Sequence, residues 1–519
     1  MLPATKVKRP AAEPAPDPED APRADHDAAG RAWSWLAPCA VFGAVASMSR
    51  SFVSNQNTYL VHAARSSGAY PELASDWFAH TADPTPFFTG LVAPLLALAG
   101  PGILPALNAV LVAACLAALV LAAEALVPDG APRAPRWVVA CALAVAWLAS
   151  PRAQYGFAGV ADQQVLRNFL QPANFGVLLL VGLALLLRGR PRAGAAIAAL
   201  AAVMHPTYIP SVLLLVGAAL ALDRGAPRRR KAVAAALAGA VLAPPLLWTA
   251  TRFAPSDPAT FRAAQRILAD ERIPHHTIPQ LWFDAGAVLC ALIVAAALLI
   301  ARRSGKALLG AYAAVCVLGT LAAAAFPRLY TLRLAFPWRI STWLVPLSTA
   351  VLFTALLGRL MRRPARRVLP GIAAGAWVIA TAIAVRQGLH RMRPRTEPGV
   401  ALAREAQRRG AATDVIVSPP AWEHLRLNAP AAIFADWKSH PYADREVLEW
   451  DRRLGLLSGF YAGAGPLSCG ALAPILASAP APRWVIVPRG ASLSCPGVEL
   501  AVEGADGSLY RVLAAPPPG

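Results

Sequence analysis

The chain contains about eleven long apolar runs separated by short basic loops, and this pattern limits its possible folds more than any other feature. Hydrophobic residues make up 56% of the 519 positions, and charged residues only 15%. A water-soluble protein of this size could not solvate so much apolar surface, so a lipid-facing surface is required. The sequence therefore predicts an all-α polytopic membrane protein.

Each apolar run is interpreted as one transmembrane helix, although several are short for a span and their ends are approximate. The segment 86–100 is also apolar, but it is short and interrupted by Pro94, so we interpret it as interfacial or re-entrant. The predicted spans are 32–53, 102–127, 137–150, 173–187, 194–206, 208–222, 232–251, 281–301, 307–325, 341–358 and 369–385.

Orientation follows from the distribution of arginine and lysine, which favour cytoplasmic loops. The basic loops lie near Arg133, Arg190, Arg229, Arg303 and Arg362. We therefore expect a cytoplasmic N-terminus and a bacterial inner (cytoplasmic) membrane location. Four mixed connections face the exterior: 54–101, 151–172, 252–280 and 326–340. An eleventh crossing places the C-terminal tail in the periplasm.

Three regions are expected: a disordered cytoplasmic tail at 1–31, a transmembrane domain at 32–386 with its exterior loop 54–101, and a soluble periplasmic α/β domain at 387–519. Cys469 and Cys495 could form a disulfide if this domain is outside the cytoplasm. The domain's predicted strands are 414–418, 431–435, 484–488, 498–502 and 510–513, and its predicted helices are 445–457 and 471–477.

The net charge of +20 does not indicate nucleic-acid binding, because the basic residues lie in short loops between apolar runs. Phosphate-binding loops, dinucleotide fingerprints and zinc motifs are not found in the sequence. No metal site is therefore assigned, although a divalent cation could bind carboxylates of the first exterior loop, and the cofactor stays unknown.

The first exterior loop carries the candidate catalytic residues. Pro71 fits the first turn of a helix that would end before Pro84. Glu72, Asp76, His80 and Asp83 recur every three or four residues and would share one face of that helix. Asp76 is the preferred general base, assisted by His80 or Asp83. The alternative is the polar face of an interfacial helix without catalytic function.

The other exterior loops carry candidate substrate-binding residues, since a sugar or a phosphate needs many hydrogen-bonding groups. Arg167 would be costly near the hydrocarbon edge without an anionic partner, which could be a phosphate or simply Asp162. The arginines of the fourth loop could instead be interfacial anchors, and His205 could cap a helix. The candidates are Gln163, Arg167, Asn168, His205, Arg333 and Arg339.

Two further charged segments are interpreted as structural. The third loop, with Arg272, His275 and His276, is interpreted as a solvated helix face. In the tail, Lys438 precedes a charged helix, and salt bridges within the domain explain most of these charges.

Several stretches carry a resemblance: NQNTYLVHA, SDWFAHTADPTPFF, LRNFLQPANFG, MHPTYIP and FADWKSHPY. They resemble an uncharacterised family of bacterial multi-pass proteins, and the architecture looks like the GT-C superfamily of membrane glycosyltransferases. The resemblance implies sugar transfer from a polyprenyl-phosphate donor to an envelope acceptor on the periplasmic side, with arginines stabilising the lipid phosphate. This chain differs by having Asn55, Gln56 and Asn57 where such enzymes commonly place an acidic residue.

Two other functions remain open. A transporter or flippase of a lipid-linked or small polar substrate would also need broken helices and polar groups at helix ends. Apart from Glu124, however, few ionisable residues lie in the apolar runs. A non-catalytic partner presenting the tail to an envelope assembly would not need so many spans.

Overall fold

The computed structural model describes residues 26–128, 130–148, 157–161, 163–223, 225–362, 367–463 and 465–513. It is mostly helical, with a small C-terminal region that contains the strands, so the predicted fold class is confirmed. The first helix begins at His26, inside the tail predicted to extend to residue 31. The rest of that predicted disordered tail and Asp162 lie outside the described residues.

All the predicted spans coincide with apolar helices. Five helical segments are long and apolar enough to cross a membrane: Pro86–Leu126, Arg228–Arg252, Arg303–Ala325, Tyr330–Leu360 and Leu369–Met392. The apolar helices are His26–Ala46, Pro86–Ala99, Ile103–Leu126, Arg136–Leu148, Val177–Leu187, Pro191–Met204, Ile209–Leu222, Arg228–Arg252, Ala285–Ile300, Arg303–Ala325, Ser341–Leu360 and Leu369–Met392.

These helices differ in how far they are enclosed by other helices. In the apolar window of Tyr330–Leu360, 78% of residues are buried, against 11% in Leu369–Met392. The former is therefore a central helix and the latter a peripheral one. Helices Val177–Leu187 and Pro191–Met204 approach closely, because a Cβ on Gly182 would lie 2.6 Å from the Gly194 carbonyl oxygen.

The ambiguous segment before the second predicted span forms the helix Pro86–Ala99. It ends at Gly100, whose φ of +64° lies in the left-handed region that favours glycine. A short 3-10 turn, Gly100–Gly102, then leads into Ile103–Leu126. The interfacial position of Pro86–Ala99 stays a prediction.

The helix predicted between Pro71 and Pro84 is wrong. Two short 3-10 helices, Pro71–Ser75 and Phe78–His80, occupy this stretch, and Asp76 between them has an extended backbone. The Asp76 carboxylate accepts a hydrogen bond from the Ala79 backbone N–H (3.0 Å), an alternative to helical bonding that aspartate offers readily. Glu72, Asp76, His80 and Asp83 therefore do not share one helical face.

The remaining connections also form short helices. In the first and second loops these are Gln56–Tyr59, Val61–Ser66 and Pro172–Gly176, and Pro206–Tyr208 links two apolar helices. The third loop contains Pro258–Arg266, the π-helix Ile267–Arg272, Pro274–Thr277 and Pro279–Trp282. The fourth contains Tyr330–Leu334 and Pro337–Ile340.

The C-terminal region contains two small sheets. Strands β1 (Ile416–Val417), β3 (Trp484–Pro488), β6 (Gly507–Val512) and β5 (Val498–Gly504) lie in the order β1-β3-β6-β5, with β1 parallel to β3 and the other pairs antiparallel. Strands β2 (Pro466–Leu467) and β4 (Ser492–Leu493) form a parallel pair that the sequence did not predict. The predicted strand 431–435 makes only a single bridge, between Ile433 and Ile416.

Helices flank these sheets. They are Val400–Arg409, Leu425–Asn428, Asp444–Phe460 and Cys469–Leu476, and the last two match the predicted helices to within a few residues. Cys469 and Cys495 form a disulfide. It ties helix Cys469–Leu476 to the chain that follows β4.

Candidate functional site

Buried charges connect the first exterior loop to the C-terminal region, and we call this group the acidic interface: Asp76, Arg426, Asp436, Asp444 and Glu446. Arg426 forms ion pairs with both Asp76 and Asp436, and all three side chains are 0% exposed. The Arg426 Nε donates to Asp76 Oδ2 at 2.7 Å, and the Ile433 backbone N–H donates to the same oxygen at 3.0 Å. Asp76 is thus enclosed by protein.

Further contacts extend the acidic interface. Glu446 accepts hydrogen bonds from the Ala82 backbone N–H at 3.0 and 3.1 Å. Asp444 accepts from the backbone N–H and the hydroxyl of Ser256 at 2.7 and 2.9 Å. Burial raises the pKa of Glu446, against the hydrogen bond from Ala82. The carboxylates here are used in docking the loops onto the C-terminal region.

The other predicted catalytic residues lie close to this interface. The His80 Nε2 lies 2.7 Å from the Ala74 carbonyl oxygen, and the side chain is exposed. Asp83 accepts from the Thr85 backbone N–H at 2.7 Å, a local turn contact. A cavity lies elsewhere, and none of Asp76, His80 and Asp83 lines it. Their predicted catalytic roles therefore have no support from geometry, and we infer a structural role for Asp76.

We call this second region the cationic cavity, a space of about 360 Å³ between the exterior loops and the C-terminal region. Four basic side chains line it, each from a different segment: Arg167, Arg272, Arg339 and Lys438. The described lining residues include no carboxylate. The other polar lining residues are Asn55, Thr58, Tyr59, Gln163, Gln164, Gln171, His205, Thr207, Gln265, His275, His276, His440 and Tyr442.

Arg339 is fixed by contacts on three sides. It donates a hydrogen bond to the Thr207 hydroxyl, and its guanidinium lies 5.5 Å from the Tyr208 ring centroid and 5.4 Å from that of Phe336. Burial, and then the charge of Arg339, hold the pKa of His205 well below its usual value. His205 is consequently neutral at physiological pH, and Arg339 carries the charge at this wall.

Arg272 and Lys438 form the opposite cationic pair. The Arg272 Nη2 donates to the Lys438 carbonyl oxygen at 3.0 Å, and the Thr58 hydroxyl donates to the same oxygen at 3.2 Å. Burial, followed by the charge of Arg272, lowers the pKa of Lys438. The same two causes lower the pKa of His440 to about 3. Positive charges thus repel each other here, and a bound anion would relieve that repulsion.

Backbone strain is concentrated beside this cavity. Ser54, Ala161 and Phe336 have φ values of +49°, +62° and +49°, in the region that favours glycine. Ser54 precedes Asn55, Ala161 lies two residues before Gln163, and Phe336 is itself a lining residue. Such strain persists where the surrounding structure fixes the backbone, and it is frequent at functional sites.

The predicted substrate-binding residues fall into two groups. Gln163, Arg167, His205 and Arg339 come together in the cationic cavity. Asn168 and Arg333 are not among its lining residues. Arg333 is 4% exposed and forms an ion pair with Asp270 at 2.7 Å, and it also donates to the Pro327 carbonyl oxygen at 2.8 Å. We infer that Arg333 fixes the fourth loop to the third rather than contacting substrate.

Two cations of the cavity were missed by the sequence interpretation. Arg272 is only 8% exposed, so its assignment to a solvated face is wrong. Lys438, assigned mainly to salt bridges, lines the cavity and makes no salt bridge within the described part of the chain. The available signals were the scarcity of lysine, with only five in the chain, and its position in the stretch FADWKSHPY.

Comparisons with known proteins give two positive results. A family model described as a domain of unknown function (DUF6798) matches residues 399–457. That segment contains Arg426 of the acidic interface and Lys438, His440 and Tyr442 of the cationic cavity. None of the curated proteins compared with the chain is significantly similar to it.

The second result is a solved structure, ArnT from Cupriavidus metallidurans bound to undecaprenyl phosphate. The two chains share 14% sequence identity and align with a TM-score of 0.50, over 94% of this chain and 98% of ArnT. At this identity the similarity shows the fold alone. It supports the mostly helical, multi-pass fold predicted from the sequence, which is similar to that of ArnT.

Proposed function

We propose that this protein is a membrane glycosyltransferase that takes a sugar from a polyprenyl-phosphate donor and transfers it to an envelope acceptor on the periplasmic side. The observation that carries the proposal is the cationic cavity, in which three arginines and one lysine from separate segments line one space. Like charges repel one another there, and a bound anion would relieve that repulsion. A lipid-linked phosphate supplies that anion, and the ArnT structure with its bound undecaprenyl phosphate supports the choice.

The phosphate is assigned to the space between Arg339 and the Arg272–Lys438 pair. One guanidinium group can donate two parallel hydrogen bonds to two oxygens of a phosphate. An ammonium group adds a compact positive charge. Arg339 is held by Thr207 and two aromatic rings, so little side-chain freedom is lost on binding. Arg167 on the second loop adds a fourth positive charge.

We assign the lipid chain to an apolar groove of about 500 Å³. Its walls come from helices Ala285–Ile300, Arg303–Ala325 and Ser341–Leu360. Ser341 lines this groove and Arg339, two residues earlier, lines the cavity. One ligand with a charged head and an apolar chain would occupy both spaces.

In the proposed reaction, the bond between sugar C1 and the phosphate oxygen breaks, and its electron pair stays on the phosphate. A new bond forms between C1 and the acceptor oxygen. The proton of the acceptor hydroxyl passes to the departing phosphate, which as a monoester can accept one. The cavity cations stabilise the negative charge that develops on the phosphate, which is the main protein contribution to the rate.

The membrane arrangement belongs to the same proposal. With the basic loops in the cytoplasm, the cavity, the first exterior loop 54–101 and the tail 387–519 all lie on the periplasmic side. The donor then presents its phosphate at the outer surface while its chain stays among the helices.

The test is transfer of radiolabelled sugar from polyprenyl-phosphate donors in membranes that contain the full chain. Arg339→Gln should reduce transfer at least about tenfold, since one charge-assisted contact is lost. Arg328→Gln is the matched control, because Arg328 lies in the same loop but is exposed and outside the cavity. Equal activity of the Arg339 and Arg328 variants would contradict the phosphate assignment. Donor binding without transfer to any acceptor would favour a lipid-carrier transporter.

A further inference from the structure

Gln163 stands out among the residues of the cationic cavity because neither end of its side-chain amide is used by the protein. The residue is 5% exposed and lines the cavity. Both Nε2 and Oε1 are buried and have no hydrogen-bond partner among the described residues. A buried amide without hydrogen bonds destabilises the folded protein, and a ligand that supplies those bonds removes the penalty.

Hydrogen bonds fix the backbone from which the Gln163 side chain extends. The Gly159 N–H donates to the Gln163 carbonyl oxygen at 2.9 Å, and the Gln163 N–H donates to the Val160 carbonyl oxygen at 3.3 Å. The Val160 N–H in turn donates to the Ser341 hydroxyl at 3.0 Å, at the start of a central helix. A Cβ on Gly159 would meet that hydroxyl at 2.3 Å, so the turn is packed closely against the helix. Gln163 is therefore presented by a rigid element.

The chemistry of the amide selects its partner. A carboxamide offers N–H donors at one end and an acceptor at the other. A phosphate would satisfy only the donor end, and an ammonium group only the acceptor end. Two neighbouring hydroxyl groups satisfy both ends, since each hydroxyl can donate and accept.

Two further amide side chains, Asn55 and Gln171, line the same cavity. Asn55 Nδ2 donates to Gln171 Oε1 at 2.9 Å, which leaves the Asn55 oxygen and the Gln171 amino group without a hydrogen bond to other described residues. The cavity thus combines cations for a phosphate with amides suited to hydroxyl groups. A sugar phosphate carries both a phosphate, which the cations bind, and hydroxyl groups, which the amides bind.

We propose that Gln163 is the sugar-recognition residue of this cavity, and that its amide binds two adjacent hydroxyl groups of an uncharged sugar. This inference rests on the proposed function and adds the class of the donor sugar. A neutral hexose fits the donor and acceptor set. A sugar carrying an ammonium group would be repelled by the four lining cations.

The experiment measures binding of two kinds of lipid to the purified full chain. One is polyprenyl phosphate, and the other is a set of sugar donors: polyprenyl-phosphate glucose, its mannose and galactose counterparts, and an amino-sugar donor. Gln163→Ala should weaken binding of the best hexose donor by about 10- to 100-fold, because hydroxyl recognition by buried polar groups is strongly selective. Binding of polyprenyl phosphate should change by less than about twofold. Gln387→Ala, an exposed position on helix Leu369–Met392, is the matched control and should change neither.

A nearly isosteric and uncharged variant, Gln163→Met, protects the test against a folding defect. It loses both the donor and the acceptor without adding a charge near the phosphate, so hexose-donor binding should also fall while the chain stays folded. Equal weakening of both lipids, or of neither, would overturn the assignment of Gln163 and leave the phosphate site intact. Tighter binding of an amino-sugar donor than of any neutral hexose would overturn the sugar class. Failure of the wild type to bind either lipid would instead reject the proposed function itself.

Discussion

Two buried charged regions lie on the same side of the molecule, and they differ in how their charges are neutralised. In the acidic interface, Arg426 lies between Asp76 and Asp436, all at 0% exposure, and backbone N–H groups satisfy further carboxylate oxygens. In the cationic cavity, Arg272 and Lys438 lie side by side: burial lowers the pKa of both, and the charge of Arg272 lowers the pKa of Lys438 further. The first set contains opposite charges that pair within the protein, and the second consists of like charges around one space.

This difference separates structural from ligand-binding charge. A buried ion pair is costly to break, because removing one partner leaves the other charge buried without an opposite charge. Like charges around one space raise the free energy of the folded protein, because they repel one another. Binding of an anion lowers that free energy again. Acidic residues in an exterior loop are thus not evidence of catalysis unless their partners are known.

The largest expected effect is at the centre of the acidic interface. Arg426→Met removes the only guanidinium that pairs with Asp76 and Asp436 among the described residues, and leaves two carboxylates buried together. We expect a loss of about 3–5 kcal/mol of stability, as for other broken buried pairs. Thermal unfolding in detergent, followed by size-exclusion chromatography, measures it.

The control for that variant neutralises all three charges. Asp76→Asn, Arg426→Met and Asp436→Asn together should recover most of the lost stability, because no unpaired charge remains buried. Recovery of nothing would mean that packing, and not charge pairing, holds this interface together.

A smaller effect, and of another kind, is expected in the cationic cavity. Arg272→Gln removes one of the like charges, so thermal stability should stay unchanged or rise slightly. Affinity for polyprenyl phosphate should fall about 10- to 100-fold, the usual cost of a lost charge-assisted contact. Binding measured at two salt concentrations should also show a weaker salt dependence in this variant. A large loss of stability would make Arg272 a structural residue.

The smallest effect concerns pH. His440 is buried, which lowers its pKa from the usual 6.5 to about 3. A lowered folded-state pKa favours the folded protein above 6.5, and this contribution is lost as the pH falls from 6.5 towards 3, at up to about 1.4 kcal/mol per pH unit. His440→Phe should therefore show a shallower loss of thermal stability between pH 6.5 and 5. Identical slopes in wild type and variant would contradict the buried, neutral state of His440.

The architecture could be predicted because apolar runs determine it directly. Each span from 102–127 to 369–385 needed only its composition to be identified, and each forms a helix. The C-terminal strands with strong β-formers, such as Trp484–Pro488, were equally visible. The two-residue strands β2 and β4 were not, because so short a pair depends on tertiary contacts rather than on local preference.

The site could be predicted only in part, for a physical reason. Arg167 and Arg339 were selected because an arginine near the membrane needs an anion, and they do line the cavity. Asp76 was selected because carboxylates serve as bases, but its partner Arg426 is 350 positions away in the chain. Lys438 likewise lines the cavity only because the C-terminal region packs against the exterior loops. No local pattern distinguishes a carboxylate with such a partner from one without.

The central claim is tested most directly by comparing Asp76→Asn with Arg272→Gln in two assays, thermal stability and binding of polyprenyl phosphate by the folded fraction. We predict a crossed result: Asp76→Asn lowers stability and leaves lipid affinity within about twofold, while Arg272→Gln keeps stability and lowers affinity at least about tenfold. The reverse result, with lipid binding lost in a stable Asp76→Asn protein and retained in Arg272→Gln, would move the functional site to the acidic interface and contradict the account.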